Sequence, residues 1–470
     1  MTTTPLTNWP QQSSPMPANH STIPPRWCVI GAGPSGLTTL KNLLACGIDA
    51  EILEREDGLG GNWYFGAATS RVFASTRLIS SKALTAFTDF PMPRDWPAYP
   101  DHHQCLEYLR RYADQFCLPP RIRFGVTVAD IAPVLGATGR RQGWEISVAE
   151  GSPRRYAGVV LASGHNHVPR WPQIPGAFTG PLLHAADYKS PTVPAVLAGK
   201  RVLVIGGGNS GCDIAVEASR HAAHVLHSTR RHYHVIPRMV AGRPADLRGE
   251  RLLKMRAPLW LRRLVGRRAI ARTIGLPAQH GLPDPDHRMW EAHPVINDHL
   301  YAQIDTGAIS PRPDVTAFEG RSVRFGDGSR EEVDLIIAAT GYQLTFPGLD
   351  PALLNSTTGV PQLHLHLLHP TATDLAVVGM IQPDSGQWGI TDLQAQVVSR
   401  MILADRQSQR ARAWLARQRQ RQPRLSPIAY LDSPRHALEV EHFSYAQRLR
   451  RLIVGLDRRL RRATSQTTAC

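Results

Sequence analysis

No uninterrupted apolar run of about twenty residues occurs anywhere in this chain, so no helix in it is expected to span a bilayer. Cysteine is scarce and spaced badly for chemistry. The six residues Cys28, Cys46, Cys105, Cys117, Cys212 and Cys470 form no CxxC pair and no zinc-like spacing. That disfavours a disulfide reductase, points to no metal site, and suits buried or free thiols in a reducing compartment, read here as the cytoplasm. Acidic side chains are also in short supply, 38 Asp and Glu against 54 Lys and Arg, for a formal net charge of +16. The excess favours an anionic partner, whether nucleotide, acidic lipid or nucleic acid, without choosing among them. The opening 1–25 segment, rich in Thr, Ser, Pro and Asn, lacks the apolar centre of a signal peptide and reads as a disordered leader.

What the chain does have is enough apolar material for a sizeable core. Its 470 residues are 42% hydrophobic, which suits roughly two to four domain-sized units. The first folded stretch is "RWCVIGAGPSGLTTLKNLLACGIDAEILERE". Apolar Trp27, Val29 and Ile30 read as a buried strand, Leu37–Ala45 as a helix and Ala50–Leu53 as a second strand ending in Glu54. Between strand and helix stand Gly31, Gly33 and Gly36, a GxGxxG turn, with Ser35 inside it. Gly31 allows the tight turn, Gly33 a close approach of pyrophosphate to backbone, and Gly36 close packing of helix on strand. Phosphates then meet the positive end of the helix. Pro34 costs little in the first turn, where its missing N–H has no helical acceptor. Glu54 can accept from both hydroxyls of an unphosphorylated ribose, as in FAD or NAD. "GLGGNW" follows, and Gly61, Asn62 and Trp63 are expected beside the same cofactor.

A second unit, "KRVLVIGGGNSGCDIAVEASRHAAHVLHSTRR", repeats the arrangement. Val202–Ile205 is the strand, Gly206, Gly208 and Gly211 the turn, with Asn209 and Ser210 within it. Its second strand, His224–His227, runs into Ser228, Thr229, Arg230 and Arg231, with no acid where Glu54 stood. A carboxylate would repel a 2′-phosphate, whereas hydroxyls and a guanidinium can bind one. Opposite ribose preferences point to FAD in the first unit and NADPH in the second. That pairing belongs to a flavoprotein reductase or oxygenase.

Between the units, "FTGPLLHAADYK" follows a Pro-rich linker and sets Phe178, Gly180, His184 and Tyr188 at fixed spacings. Here the chain resembles the class B flavoprotein monooxygenases, and most closely the flavin-containing monooxygenase family, whose fingerprint FxGxxxHxxx(Y/F) these four residues meet. Related Baeyer–Villiger enzymes carry Trp at the Tyr188 position. The resemblance runs from about Trp27 to about Leu456. "LASGHNHVP" is similar to the first domain crossing, "VDLIIAATGYQ" with Thr340, Gly341 and Tyr342 to the return crossing, and "DLAVVGMIQPDSGQWGITDLQAQ" with Gln387 to the strand and helix that point at the flavin ring. "FTDFPMP" resembles the family's DFP segment.

The resemblance implies an α/β fold of two Rossmann-like dinucleotide-binding domains, the NADPH domain inserted into the FAD domain. Residues 26–168 would form the first part of the FAD domain, 169–332 the linker and NADPH domain, 333–463 the second FAD part with a C-terminal helix, and 464–470 a tail. It implies NADPH reduction of FAD, O₂ addition to give a C4a-(hydro)peroxyflavin, and oxygenation of a nucleophilic nitrogen or sulfur in a small molecule. Bound NADP⁺ would shield that oxygenated flavin from water, whose access releases hydrogen peroxide. His184 and Tyr188 would hold the linker in register with the nicotinamide domain. Where the family carries an Asn near the flavin, this chain has Ile79, with Ser80 and Ser81 as substitute donors. Alternatives on the same fold are a Baeyer–Villiger or oxidative-decarboxylation enzyme and an uncoupled NADPH oxidase or redox sensor.

Two basic stretches remain. "RLLKMRAPLWLRRLVGRRAIARTIG" reads as a helical excursion covering a substrate tunnel, favoured over peripheral contact with a membrane surface. In "YAQRLRRLIVGLDRRLRRA", Leu449, Leu452, Ile453, Leu456 and Leu460 form an apolar stripe with arginines outward. No aromatic and basic interleaving accompanies it, so no nucleic-acid partner is expected. Nothing in the sequence sets the oligomeric state or the substrate.

Overall fold

A computed structural model describes residues 25–467 apart from 256, 357–358 and 422. Most of the expected leader and the last residues of the expected tail lie outside the described residues.

Five strands form the first sheet: β1 (Trp27–Ile30), β2 (Ala50–Leu53), β3 (Ile122–Arg123), β4 (Gly158–Leu161) and β10 (Leu375–Val377), in the order β10-β4-β1-β2-β3. All its pairings are parallel. β1, β2 and β4 are buried throughout, as expected when both faces of a parallel sheet are covered. One face carries α1 (Pro34–Ala45), α2 (His102–Gln115), α6 (Trp388–Gln407) and α7 (His442–Thr467), meeting the sheet through Leu37, Leu40, Tyr108, Val397 and Leu449. The other is covered by a three-stranded antiparallel flap whose Ile131, Trp144, Ile146 and Tyr156 point inward.

The second sheet comprises β5 (Leu182–His184), β6 (Arg201–Ile205), β7 (His224–Ser228), β8 (Ile309–Arg312) and β9 (Leu335–Ala338), in the order β5-β9-β6-β7-β8, again all parallel. Its glycine turn leads into α3 (Asn209–Ala218). β9 lies inside this sheet, so the second unit extends past the boundary expected at residue 333. The chain crosses between the sheets twice, and the crossings pair antiparallel: Tyr342 opposite Pro169 and Gln343 opposite Val168.

An excursion between β7 and β8 carries α4 (Ala245–Lys254) and α5 (Leu259–Thr273). On α5 the first two arginines anchor inward: Arg262 is buried with its guanidinium 5.2 Å from the Trp290 ring, and Arg263 donates to Glu291 and to the Met289 carbonyl, whereas Arg267, Arg268 and Arg272 are exposed. Trp260 is instead 66% exposed. The stripe Leu449, Leu452, Ile453 and Leu456 on α7 is buried as expected, with Leu460 packed partly against the same core.

α1 and α6 are locked together by one buried carboxylate. Asp392 accepts from Thr38 Oγ1 at 2.7 Å, Asn42 Nδ2 at 2.8 Å, Lys41 Nζ at 3.2 Å, and Thr88 Oγ1. Burial pushes its pKa up, but Lys41 and the hydroxyl and amide donors outweigh burial and hold it low. Lys41 also pairs with Asp89 at 2.6 Å, so the "FTDFP" run serves as the third member of this lock. It fixes the N-terminus of α6 relative to the first glycine turn.

Candidate dinucleotide sites and the crossing between them

The first glycine turn is built as its spacing requires. Gly31 has φ +101°, and a Cβ on Gly36 would stand 1.8 Å from the Gly31 carbonyl oxygen. Helix and strand therefore approach closer than any side chain allows. The second glycine run folds back onto the first, since a Cβ on Gly61 would lie 3.0 Å from Gly33 Cα. Trp63 then meets Trp388, the first residue of α6, edge to face at 5.6 Å. Gln387, just before it, donates to the Gly379 and Ile381 carbonyls, both at 3.0 Å. Gly379 is bare because a Cβ there would come within 2.1 Å of Ser35 Oγ. Gly31, Gly33, Ser35, Gly36, Gly61, Trp63 and Gln387 are thus brought together by this chain of contacts, beside the first glycine turn. Asn62 sits in the same short turn, its carbonyl accepting from Ser70 Oγ.

Glu54 is 6% exposed at the end of β2. One carboxylate oxygen accepts from Ala32 N at 2.5 Å and the other from Glu56 N at 3.0 Å. Each oxygen keeps a lone pair for a further donor such as a ribose hydroxyl. Beyond the acid lies a cleft of about 420 Å³ bounded by Arg55, Asp57, Tyr64 and Phe65.

Alongside Gly31 the chain leaving β4 carries polar atoms buried without a partner: Ser163 Oγ, His165 Nδ1 and His167 Nε2, together with Arg71 Nε. His167 Nδ1 contacts Arg55 Nη2 at 3.3 Å. An arginine only donates, so Nδ1 accepts and the proton rests on Nε2. Burial lowers the His165 pKa to about 4, keeping that ring neutral. Of these atoms Ser163 Oγ, His167 Nε2 and Arg71 Nε are donors; buried donors without acceptors are costly, and a pyrophosphate offers the acceptors these three lack. The donor set fits a dinucleotide phosphate group. In the sequence His165 and His167 stood only within the "LASGHNHVP" crossing segment, with no role attached to them, and Arg71 stood in no motif.

The second turn repeats the geometry. Gly206 has φ +126° with no room for a Cβ beside the Ala339 carbonyl, and a Cβ on Gly211 would stand 2.0 Å from the Gly206 oxygen. Gly208 caps α3 and Ser210 is exposed in its first turn. Two expectations need correction. The Ser228 hydroxyl, expected to donate to a 2′-phosphate, is buried and donates to the Pro313 carbonyl at 2.7 Å. It is the last residue of β7, and its side chain falls on the inward face. Asn209, expected at the cofactor, is committed to the excursion, donating to the Pro294 carbonyl at 3.0 Å and accepting from Ile296 N at 2.7 Å. Thr229 is 9% exposed beside a small enclosed cavity. Of the two arginines that follow, Arg231 pairs with Asp286 at 3.2 Å, whereas Arg230 is exposed with no ion-pair partner among the described residues.

The fingerprint residues divide across the edge of the second sheet. Gly180 is bare because the Phe178 ring folds over it, 2.6 Å from where a Cβ would stand. Phe178 packs on the face formed by Leu203, Ile205 and Phe318. Tyr188 enters the opposite core with Val202 and Val204, its hydroxyl donating to Glu217 on α3. His184, fully buried, lies between the two crossings, its ring 5.4 Å from Trp171 and 5.5 Å from Tyr342. Its Nδ1 accepts from Ala186 N at 3.0 Å, so Nε2 carries the proton; it faces the Gly341 carbonyl without reaching hydrogen-bond geometry. Burial lowers the ring's pKa. Thr340 donates to the Arg170 carbonyl and Gly341 accepts from Arg170 N, so these residues join the crossings to one another. His184 thus packs between the two crossings, and Tyr188 ties the linker to α3.

Ile79 is half-buried, and Ser80 is held through its carbonyl by Thr85 Oγ1. Ser81 is 1% exposed. Its N–H donates to Asp246 of α4 at 2.7 Å, while its hydroxyl is buried without a hydrogen bond. Among the described residues no cluster of His, Cys, Asp or Glu has the makings of a metal site, and no helix is long and apolar enough to cross a membrane.

Residues 25–455 match the family model described as flavin-binding monooxygenase-like. The chain is 32% identical over 453 residues to flavin-containing monooxygenase 5 of Mus musculus, covering 91% of this chain and 82% of that protein. It is 33% identical over 398 residues to the N-oxide-forming dimethylaniline monooxygenase 2 of Pan troglodytes, covering 80% and 72%. Among solved structures it is similar to an oxidized steroid monooxygenase bound to NADP, with TM-score 0.67 and 18% identity over 91% of this chain and 97% of that one.

Proposed function

The chain belongs to the flavin-binding monooxygenase-like family, and from that premise we propose that it oxygenates a nucleophilic nitrogen or sulfur of a small molecule, working in the cytoplasm. Family membership makes it a flavin-dependent NADPH monooxygenase, with FAD and NADPH as cofactors and O₂ and a small molecule as substrates. A relative that covers most of the chain is named for N-oxide formation, which supports the heteroatom assignment.

The flavin, when bound, supplies hydride acceptance and oxygen activation. The polypeptide binds, aligns and dries the site. In this reading Glu54 takes the FAD ribose hydroxyls, while Ser163, His167 and Arg71 donate to its phosphates. Trp63, Trp388 and Gln387 crowd the ring end, where apolar bulk excludes water. Arg230 and Thr229 take the 2′-phosphate of NADPH at the far end of the second cradle. The observation that carries the proposal is the crossing itself. The two glycine-turn units are joined by crossings that pair at Tyr342–Pro169 and Gln343–Val168, with the His184 ring packed between Trp171 and Tyr342, an arrangement suited to holding nicotinamide in register with the flavin. A soft nucleophile needs only access to activated oxygen, so no side-chain nucleophile is required.

One residue favours a second reading. Ile79 has no hydrogen-bonding group where the family carries Asn, which weakens retention of activated oxygen and points toward an NADPH oxidase. Both readings are tested together by giving the purified flavoprotein NADPH, O₂ and either a tertiary amine or a thioether. N-oxide or S-oxide formed in step with NADPH consumption is expected. Consumption with only hydrogen peroxide overturns the assignment in favour of the oxidase, and an ester or a shortened acid from carbonyl substrates assigns the Baeyer–Villiger or decarboxylating chemistry instead.

A further inference from the structure

After α6 and the helix Gln409–Arg419 that follows it, the chain returns past the second cradle, bringing a cation there that no motif marks. Leu431 N donates to the Glu291 carbonyl at 2.8 Å, and His436 Nε2 accepts from His293 N at 3.5 Å while its Nδ1–H donates to the Leu431 carbonyl at 3.0 Å. Glu439 pairs with His293 at 3.0 Å, and Glu439–Val440 runs parallel to Gln382–Pro383. The segment is thus fastened at one end to the excursion of the nicotinamide unit and at the other to the strand preceding α6. Arg435 stands between these fastenings. A Cβ on Gly208 would lie 3.5 Å from Arg435 Nη2 and 3.9 Å from its Cζ. The guanidinium therefore hangs over the residue that caps α3. It makes no hydrogen bond and no ion pair with any described residue, although its own backbone N–H is held by Ser433 Oγ at 3.3 Å.

We propose that Arg435 is a ligand for the pyrophosphate of the nicotinamide dinucleotide, contributed by the flavin-side segment. The inference rests on reading Gly206–Gly211 as the NADPH cradle. The free N–H groups at the start of α3 face a bound pyrophosphate from one side, and a guanidinium opposite them completes a clamp with charge-assisted, bidentate hydrogen bonds. The clamp differs in kind from the Arg230 contact. It grips a group common to NADPH and NADH, so it adds affinity without selecting between them. It also ties occupancy of the nicotinamide site to a segment anchored beside the N-terminus of α6, giving bound NADP⁺ a mechanical link to the flavin pocket.

The test uses the FAD-loaded full chain and equilibrium titration with NADP⁺ and NAD⁺, read by flavin absorbance or calorimetry. Arg435→Ala is expected to weaken both ligands by a similar factor, about 10- to 100-fold, with flavin content unchanged. Arg435→Lys is expected to fall between the variant and the parent, because a point charge keeps attraction but loses the fork. NADP⁺ is expected to slow amide hydrogen exchange in 431–440 of the parent and not of Arg435→Ala. Unchanged NADP⁺ affinity overturns the proposal, as does a loss confined to NADP⁺, which would make Arg435 a 2′-phosphate contact. If Arg435→Ala loses flavin, Arg435→Gln takes its place; if that also loses flavin, the residue is structural and the proposal is wrong. A parent protein that binds neither ligand would instead refute the cradle reading itself.

Discussion

Tyr188 donates its phenolic hydrogen to the Glu217 carboxylate across 2.8 Å, tying the last fingerprint residue to the helix that follows the second glycine turn. Because that hydrogen bond connects linker to nucleotide helix, the hydroxyl and the ring contribute separately. Tyr188→Phe is expected to cost about 0.5–1.5 kcal/mol. Tyr188→Ala, emptying a site 1% exposed, is expected to cost roughly 3–5 kcal/mol. Urea midpoints measured on flavin-loaded protein separate the two. Equal costs for Phe and Ala would show that the ring packs nothing of consequence.

Glu54 holds the first turn through Ala32 N and waits with its remaining lone pairs for a ribose. Glu54→Gln sets an amide N–H against the Ala32 N–H or surrenders an acceptor. FAD affinity, measured by titration of deflavinated protein, is expected to drop at least about 10-fold. Retention of full affinity would remove the acid from the cofactor site.

Arg230 and Arg231 are adjacent in sequence and unlike in surroundings. Arg230→Ala is expected to reduce NADPH affinity about 10- to 100-fold while leaving NADH nearly unaffected. Arg231→Ala, whose exposed pair with Asp286 is worth little, is expected to change neither ligand appreciably. Equal losses of NADPH and NADH in Arg230→Ala would leave the 2′-phosphate without its proposed partner.

Asp384, just past the Gln382–Pro383 strand, carries a carboxyl whose pKa burial pushes up to about 7, with Glu441 adding repulsion. An unfolded Asp ionises near 4. Between about pH 4 and 7 the unfolded chain therefore binds fewer protons at this group than the folded one, and its contribution to stability falls as pH rises. Asp384→Asn keeps an acceptor for His442 N, which the carboxylate meets at 2.9 Å, and removes that slope. The variant is expected to gain stability over the parent at pH 8, with the gain shrinking toward pH 5. Denaturant midpoints offset equally at both pH values would contradict the raised pKa.

Ile79→Asn restores the polar group the family carries. The fraction of NADPH oxidised that ends as hydrogen peroxide is expected to fall in this variant, as measured by a peroxidase-linked assay beside product analysis. An unchanged or larger peroxide yield would mean that Ile79 does not govern the leak.

Both glycine turns, the acid that ends β2 and the basic run after β7 could be read directly from the chain, because each is a local device. A tight turn needs a residue without a Cβ, and ribose chemistry is set by one side chain at the end of one strand. The inward face of the Ser228 hydroxyl was decided by strand alternation and by Pro313, which lies in the loop after β8. Asn209 looked like part of a phosphate turn, yet its amide is held by Pro294 and Ile296, distant in sequence.

The amino-acid sequence by itself determined that there are two glycine-turn units and their order, since these follow from short-range backbone sterics, and it suggested a ribose preference for each from the sign of a single charge. Only the tertiary structure decided how the two units are joined. The wedge of His184 between Trp171 and Tyr342, the Asp392 lock between α1 and α6, and the carriage of Arg435 over Gly208 all join residues far apart along the chain. Such contacts exist only once the conformational entropy of the intervening loops has been overcome by packing, and no local pattern records that outcome.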